Sequence, residues 1–356
     1  MDSVKTNITK ETKNRIVVDY EGKLSTKERL LKKLKASNTW ITVGVSILKF
    51  ILMLGVSFVI IYPFVARIAG SFMTKEDVID ATISLIPKHF TLGIYKAIFL
   101  ENHYLEALTR TTFLALACAL LQTFIACVIG YGLAKFKFKG NKLVMGLVVF
   151  TMVIPHSTLS MSMLKHFESF DLFTSEVLGN KGIIQIITGD PVGGLNLTNT
   201  FVPFILLSVF GLAFKNGLYI YLMRQFFKGV PDELEESAYV DGSGVFRTFF
   251  QIIIPLAVPM MITIFLFAFS WQWTDEFYTN MFFPIKQGAN AKYMMPDVYK
   301  VPRSLVLEMN NFSGAKLYSN VVQNTGGMMI IAPLIILYLF CQKYLVQGIE
   351  RSGLVG

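Results

Sequence analysis

Long apolar runs separated by polar, charged segments dominate this chain. Six of the runs reach or approach the roughly 20 residues that a helix needs to cross a bilayer core. They lie at about Trp40–Ala69, Thr109–Ala134, Leu143–Leu164, Thr200–Met223, Ile253–Trp273 and Val322–Tyr344. The pattern predicts an all-α polytopic membrane bundle of about six transmembrane helices, with both termini on one side. Residues 1–39 form a polar, basic tail ahead of a membrane domain at 40–356. No inverted or tandem repeat is visible, and no low-complexity segment beyond the tail.

Composition agrees, because 53% hydrophobic residues against 16% charged, at a mean hydropathy of +0.53, is too apolar for a soluble domain of 356 residues. The formal charge of +9 has a better home beside the membrane than on nucleic acid, since no basic, aromatic-interleaved soluble face is present. Lys and Arg resist translocation and mark cytosolic loops. One face collects 19 of them, in the tail, in the loop of Lys135, Lys137, Lys139 and Lys142, in the loop of Arg224, Lys228 and Arg247, and at Lys343 and Arg351. The other face holds 12 across three longer loops, which places the tail and both termini in the cytosol. The tail has no cleavable signal, and Lys32, Lys33 and Lys35 read as an anchor on acidic headgroups. Cys118, Cys127 and Cys341 all sit in apolar runs, so they read as buried, inert thiols rather than a disulfide framework.

Polar residues interrupt two of the runs. The third contains Pro155, His156, Ser157, Thr158, Ser160 and Ser162, with His156 and Ser160 on one helical face; the fourth contains Lys215 and Asn216. Such groups face a bundle interior or a wet cavity, because hydrocarbon leaves them unsatisfied. Interhelical hydrogen bonding in a static bundle is the alternative, and Lys215 can also snorkel.

The most informative stretch runs from Val230 to Pro255, in a cytosolic loop at about 224–252. Pro231 suits a first helical position, and Asp232 and Glu233 complement the helix dipole. Leu234, Ala238 and Asp241 fall on one stripe, Gly242 can end the helix in the left-handed conformation, and Ser243 can cap a second short helix with Phe246, Phe249 and Phe250 on its apolar face. A helix-turn-helix elbow is predicted.

These residues resemble the permease subunits of binding-protein-dependent ATP-binding-cassette importers, whose pattern is Glu-Ala-Ala, three residues, Gly, nine residues, then Ile-x-Leu-Pro. Here Glu236-Ser237-Ala238 precedes Gly242, nine residues and Ile252-Ile253-Ile254-Pro255, with only Ser237 and Ile254 departing. More of the chain, roughly Leu48 to Gly356, is similar to the carbohydrate branch of that family, the maltodextrin and multiple-sugar type. Tyr62-Pro63, Ser71, Pro87, Tyr95, the run Trp273 to Phe277, and the run Gln342 to Ile349 carry that similarity. Arg110, Thr274 and a long Lys165–Asn199 segment depart from it.

The resemblance implies a type I importer permease fold and a non-enzymatic role. It implies a second homologous permease chain sharing one pathway, two cytosolic ATPase subunits that bind the ATP, and an external solute-binding protein. Glu236, Ser237, Ala238, Asp241, Gly242 and Pro255 would couple to the ATPase. Ala238 and Gly242 would allow close backbone approach, and Glu236 and Asp241 would offer charge to a basic surface. Asn216, Tyr219, Trp271, Trp273, Asp275 and Lys215 are candidates for an oligosaccharide pathway of aromatic faces and polar groups. For the tryptophans an interfacial belt, and for the others bundle packing, is the competing role. The outer segment from Glu276 to Asn320 is the candidate contact for the binding protein, or else a solvated loop.

Catalytic signatures are missing from the sequence. There is no Gly-x4-Gly-Lys-[Ser/Thr] loop, the four histidines lack metal-ligand spacing, and Gly242-Ser243-Gly244 lacks a nucleophile-elbow context. No cofactor or metal is expected. The principal alternative, an ion-coupled secondary transporter, would want acids inside spans and visible repeats.

Overall fold

The computed structural model describes residues 9–11, 17–19, 37–171, 182–189, 194–285 and 291–351, in two units that meet between Ala66 and Arg67. The first unit holds a short antiparallel pair, β1 (Thr9–Glu11) and β2 (Val17–Asp19) with Lys10 opposite Val18, and most of helix α1 (Ser37–Gly70). The strands are an addition to the expected all-α chain. Lys32, Lys33 and Lys35 lie outside the described residues.

The second unit is helical. It contains α2 (Lys75–Ile79), α3 (Gly93–Glu101), α4 (Tyr104–Lys135), α5 (Asn141–Val153), α6 (His156–Glu168), α7 (Ile183–Thr188), α8 (Val202–Val209) and α9 (Asn216–Lys228). There follow α10 (Glu233–Val240), α11 (Val245–Thr248), a π turn (Phe249–Ile253), α12 (Ile254–Trp273), α13 (Phe277–Phe282), α14 (Arg303–Glu308) and α15 (Ala315–Arg351). Helix α4 is the hub, packed against α8, α9 and α12, while α12 also packs on α15. Small residues let it serve several neighbours, for Ala107, Ala115, Ala119 and Ala126 are fully buried along it. At Gly130 an added Cβ would stand 2.6 Å from Met223 Cβ and 2.9 Å from Arg224 N, so α4 and α9 cross with their backbones nearly touching.

Four of the six predicted spans are continuous helices, at Val43–Gly70, Tyr104–Lys135, Val245–Trp273 and Ala315–Val346. The other two are broken. The third turns by 97° between α5 and α6, because Pro155 offers no N–H to the helix and holds Ile154 extended at ψ 122°. The fourth splits into α8 and α9 around Phe210–Lys215, where Gly211 (φ +70°) and Lys215 (φ +67°) are both left-handed. Cys118 and Cys127 are buried, whereas Cys341 is only half-buried, a correction to its expected burial.

Proline shapes α15 in a compensated way. Pro333 cannot donate to the carbonyl four residues earlier, and that carbonyl, Met329 O, accepts instead from the Tyr104 hydroxyl at 3.1 Å. At the next residue the Trp273 indole donates to Ile330 O at 2.9 Å, tying the end of α12 to α15.

Candidate functional site

Two places gather the residues singled out in the sequence. The first is the loop between α9 and α12, which forms an elbow. Helix α10 begins at Glu233, with Pro231 and Asp232 just before it, and it closes with a double backbone latch. Gly242 N donates to Tyr239 O (3.0 Å) and Ser243 N to Ala238 O (2.9 Å). Gly242 sits at φ +79°, where a side chain would be strained. The second arm, α11, is preceded by an extended Gly244, so Ser243 does not cap it as expected. Of its predicted apolar face only Phe249 is buried; Phe246 is 81% exposed and Phe250 is also exposed. Val240, at the bend, is 87% exposed, while Glu236, Ser237 and Asp241 all face outward and Ala238 is buried. Pro255, exposed, opens α12.

What holds the elbow to the bundle is a polar knot absent from the predicted site. Glu235 is buried, and its carboxylate accepts from the Tyr131 hydroxyl at 2.9 Å and lies 3.6 Å from the Lys135 ammonium. Lys135, itself 8% exposed, also donates to Val230 O at 2.6 Å and pairs with Asp232. That ammonium holds the Asp232 carboxyl below the usual carboxylate range. One lysine at the end of α4 thus gathers the end of α9 and the start of α10. Tyr131 and Lys135 stand four residues apart on one face of α4, and Asp232 and Glu235 share a face of the elbow. That pairing of spacings was the available signal.

The second place is a cavity of about 690 Å³ formed where the two broken spans meet. Its wall includes Ile154 and His156 from the first break and Phe210 through Ala213 with Lys215 through Leu218 from the second. Non-helical backbone at membrane depth is tolerated where it lines such a space. His156 Nδ1 lies 2.7 Å from the Tyr278 hydroxyl, which also lines the cavity. The Lys215 ammonium stands over the rings of Phe214 (4.7 Å) and Trp271 (5.0 Å).

Sequence candidates are therefore distributed unequally. Lys215 and Asn216 line the cavity, and Trp271, 46% exposed, is joined to it through Lys215. Tyr219 is fully buried within the core around α4 and α9. Trp273 is buried on α15, and the Asp275 carboxylate accepts from the Tyr278 and Thr279 amides (3.2 Å each), fixing the start of α13. Arg110 pairs with Glu106 and donates to Ala291 O, so its charge is used inside the chain.

In its described residues the segment from Glu276 to Asn320 is packed against the bundle rather than a solvated loop. Beyond α13 and α14 it buries Met294, Met295 and Val298, and Asn102 Nδ2 donates to Val298 O (2.9 Å) and Lys300 O (2.6 Å). Met295 N donates to Thr111 Oγ1 at 2.9 Å, and Ser304 N to Glu101 at 3.0 Å. Residues 172–181 and 190–193 of the long segment after α6 lie outside the described residues. Ser71 and Tyr95, noted separately in the sequence, meet at 2.8 Å.

The chain is similar to several known proteins. It is 26% identical over 307 residues to Protein LplC of Bacillus subtilis, covering 85% of this chain and 92% of that protein. It is 24% identical to the polygalacturonan/rhamnogalacturonan transport system permease protein YtcP of the same organism, over 83% of this chain and 93% of that one. It is 26% identical to the maltodextrin transport system permease protein MalD of Streptococcus pneumoniae, over 86% and 94% respectively. In fold it is similar to a chain of a bacterial ABC transporter that imports the acidic polysaccharide alginate. The TM-score is 0.58 and the identity 18%, covering 91% of this chain and 99% of that one. Residues 122–351, which contain both broken-span partners of the cavity and the whole elbow, match the model of one family. The chain belongs to the family of binding-protein-dependent transport system inner membrane components.

Proposed function

We propose that this chain is one permease subunit of an ATP-binding-cassette importer for a carbohydrate, multi-pass in a bacterial cytoplasmic membrane with both termini cytosolic. A second, homologous permease chain shares its pathway. Two cytosolic ATPase subunits bind ATP and take up the elbow through Glu236, Ser237, Ala238, Asp241 and Gly242, with Pro255 starting the helix that carries the motion inward. An external solute-binding protein delivers cargo to the folded segment between Glu276 and Asn320. Carbohydrate cargo is supported by the names of the relatives, which span neutral and acidic polymers. Within the membrane, Lys215, Asn216 and Trp271 face the cargo; Tyr219, Trp273 and Asp275 act by holding the walls.

The observation that carries the coupling role is the elbow itself, a glycine-turned pair of short helices with Val240 and Phe246 exposed at its tip and buried charge at its root. Gly242→Asp puts a charged side chain into a left-handed turn at that tip. Co-purification of the ATPase subunits and uptake of labelled oligosaccharide into proteoliposomes test it. The variant complex should lose ATPase subunits or transport; normal stoichiometry with normal uptake would remove the elbow from the coupling mechanism.

A further inference from the structure

The cavity wall carries a cation that no carboxylate among the described residues pairs with. Lys215 lines it, and among the described residues the ammonium has no carboxylate partner and no hydrogen bond; the rings of Phe214 and Trp271 attend it, with the His156 imidazole on the same wall. The remaining charged wall residue, Asp171, is engaged by the Ile184 and Gln185 amides at 2.8 and 3.0 Å. A cation left to aromatic faces retains most of its capacity for an anion.

Two further features converge on that ammonium. Residues Lys215 through Leu218 are the start of α9, so the positive end of a 13-residue helix borders the same space. Asn216, 1% exposed, lines the cavity with both Nδ2 and Oδ1 making no hydrogen bond. A buried amide without partners is costly, and a ligand that accepts from Nδ2 removes the donor's share of that cost. Lys215 also holds a left-handed backbone, φ +67°, which a non-glycine residue adopts only under the control of its surroundings.

We infer that the cavity between the two broken spans is a carboxylate site, built from Lys215, Asn216 Nδ2 and the start of α9, which recognises a uronate residue of an acidic oligosaccharide. This rests on the carbohydrate role proposed above and narrows it to acidic cargo. The ammonium pairs with the carboxylate, Nδ2 donates to one of its oxygens, and Trp271 offers an aromatic face to the sugar ring.

The test uses the full complex with its partner permease and ATPases, in nanodiscs for binding and in proteoliposomes with the external binding protein for uptake, titrated with trigalacturonate and with its methyl ester, which keeps size and hydroxyls but has no charge. Trigalacturonate should bind at least tenfold more tightly than the ester. Lys215→Met should remove that difference by weakening the acid roughly tenfold while leaving the ester unchanged; Lys215→Arg should keep most of it. Equal binding of acid and ester by the unaltered complex, or equal losses for both ligands in Lys215→Met, would overturn the carboxylate site. If maltotriose binds and is taken up while trigalacturonate is not, acidic cargo is wrong and the importer role stands. If no oligosaccharide is taken up although the ATPase subunits co-purify, the carbohydrate role itself falls.

Discussion

Replacing Lys135 by methionine removes the cation that pairs with both Asp232 and Glu235 at the root of the elbow. Its ammonium lies 3.6 Å from the Glu235 carboxylate, and the two side chains are 8% and 10% exposed. At an effective dielectric constant of about 20 the Coulomb attraction at that distance is roughly 5 kcal/mol, partly offset by the desolvation of both groups. Removing one partner leaves Glu235 charged and buried and takes a donor from Val230 O, so the expected local loss is about 3 kcal/mol. Because about 1.4 kcal/mol corresponds to a factor of ten, backbone amides of Glu233–Val240 should exchange with deuterium roughly a hundredfold faster. Hydrogen–deuterium exchange with mass spectrometry on the purified complex reads this directly. Adding Glu235→Leu to Lys135→Met should restore part of the protection, since the stranded carboxylate is then gone, while Tyr131→Phe alone should give a smaller loss. Unchanged exchange in Lys135→Met, or simple additivity of the Lys135 and Glu235 changes, would refute the idea that this knot fastens the elbow.

Other expectations follow from geometry already described. Tyr104→Phe should cost about 1–3 kcal/mol by stranding Met329 O, but be nearly neutral in a Pro333→Ala background, where the helix supplies its own donor; thermal unfolding of the four variants measures the coupling. Gly130→Val should prevent assembly of the chain, seen as loss of the monodisperse complex on size exclusion, whereas Gly132→Val, with open space around its Cβ position, should be tolerated. Asp232 has a depressed carboxyl pKa in the folded state, so its contribution is present above the ordinary carboxylate range and lost as pH falls through the lower folded value. Elbow protection attributable to Asp232 should therefore be flat between about pH 6 and 8, and Asp232→Asn should lower it across that window. Ser243→Cys should label only from the cytosolic side and Ser304→Cys only from outside in a variant without native cysteines; labelling of both from one side would refute the topology.

Hydropathy located every apolar run, because burial in lipid or against neighbouring helices demands length and composition that are local properties of the chain. It could not locate the breaks, since in a run such as Thr200–Met223 the polar pair Lys215 and Asn216 is also compatible with a continuous helix, and the left-handed backbone at Gly211 and Lys215 is what divides it. Pro155 was visible and its effect on the third run was foreseeable from its missing N–H. The elbow was legible through Gly242, whose turn geometry depends on that one residue. Its attachment was not, because Glu235 acquires meaning only beside Lys135 and Tyr131, about a hundred positions earlier in the chain. The cavity likewise needs two distant breaks to meet, and no single segment encodes that meeting. Candidates chosen by residue type alone therefore mixed cavity walls, such as Lys215, with braces, such as Trp273 and Asp275.

Helices α11 and α12 and the π turn between them form one unbroken helical rod of 29 residues, Val245–Trp273, from the elbow to the far side of the span. At a rise of about 1.5 Å per residue it is roughly 42 Å long, so pivoting it by about 10° at the elbow carries Trp273 sideways by about 7 Å. That distance exceeds the width of a hexose ring. The indole at its tip is bonded to α15, so the displaced end does not swing free but drags a second helix with it. Under the coupling role proposed above, a rod of this kind would amplify: a small angular change imposed at one surface would become a displacement on the scale of a sugar ring at the other.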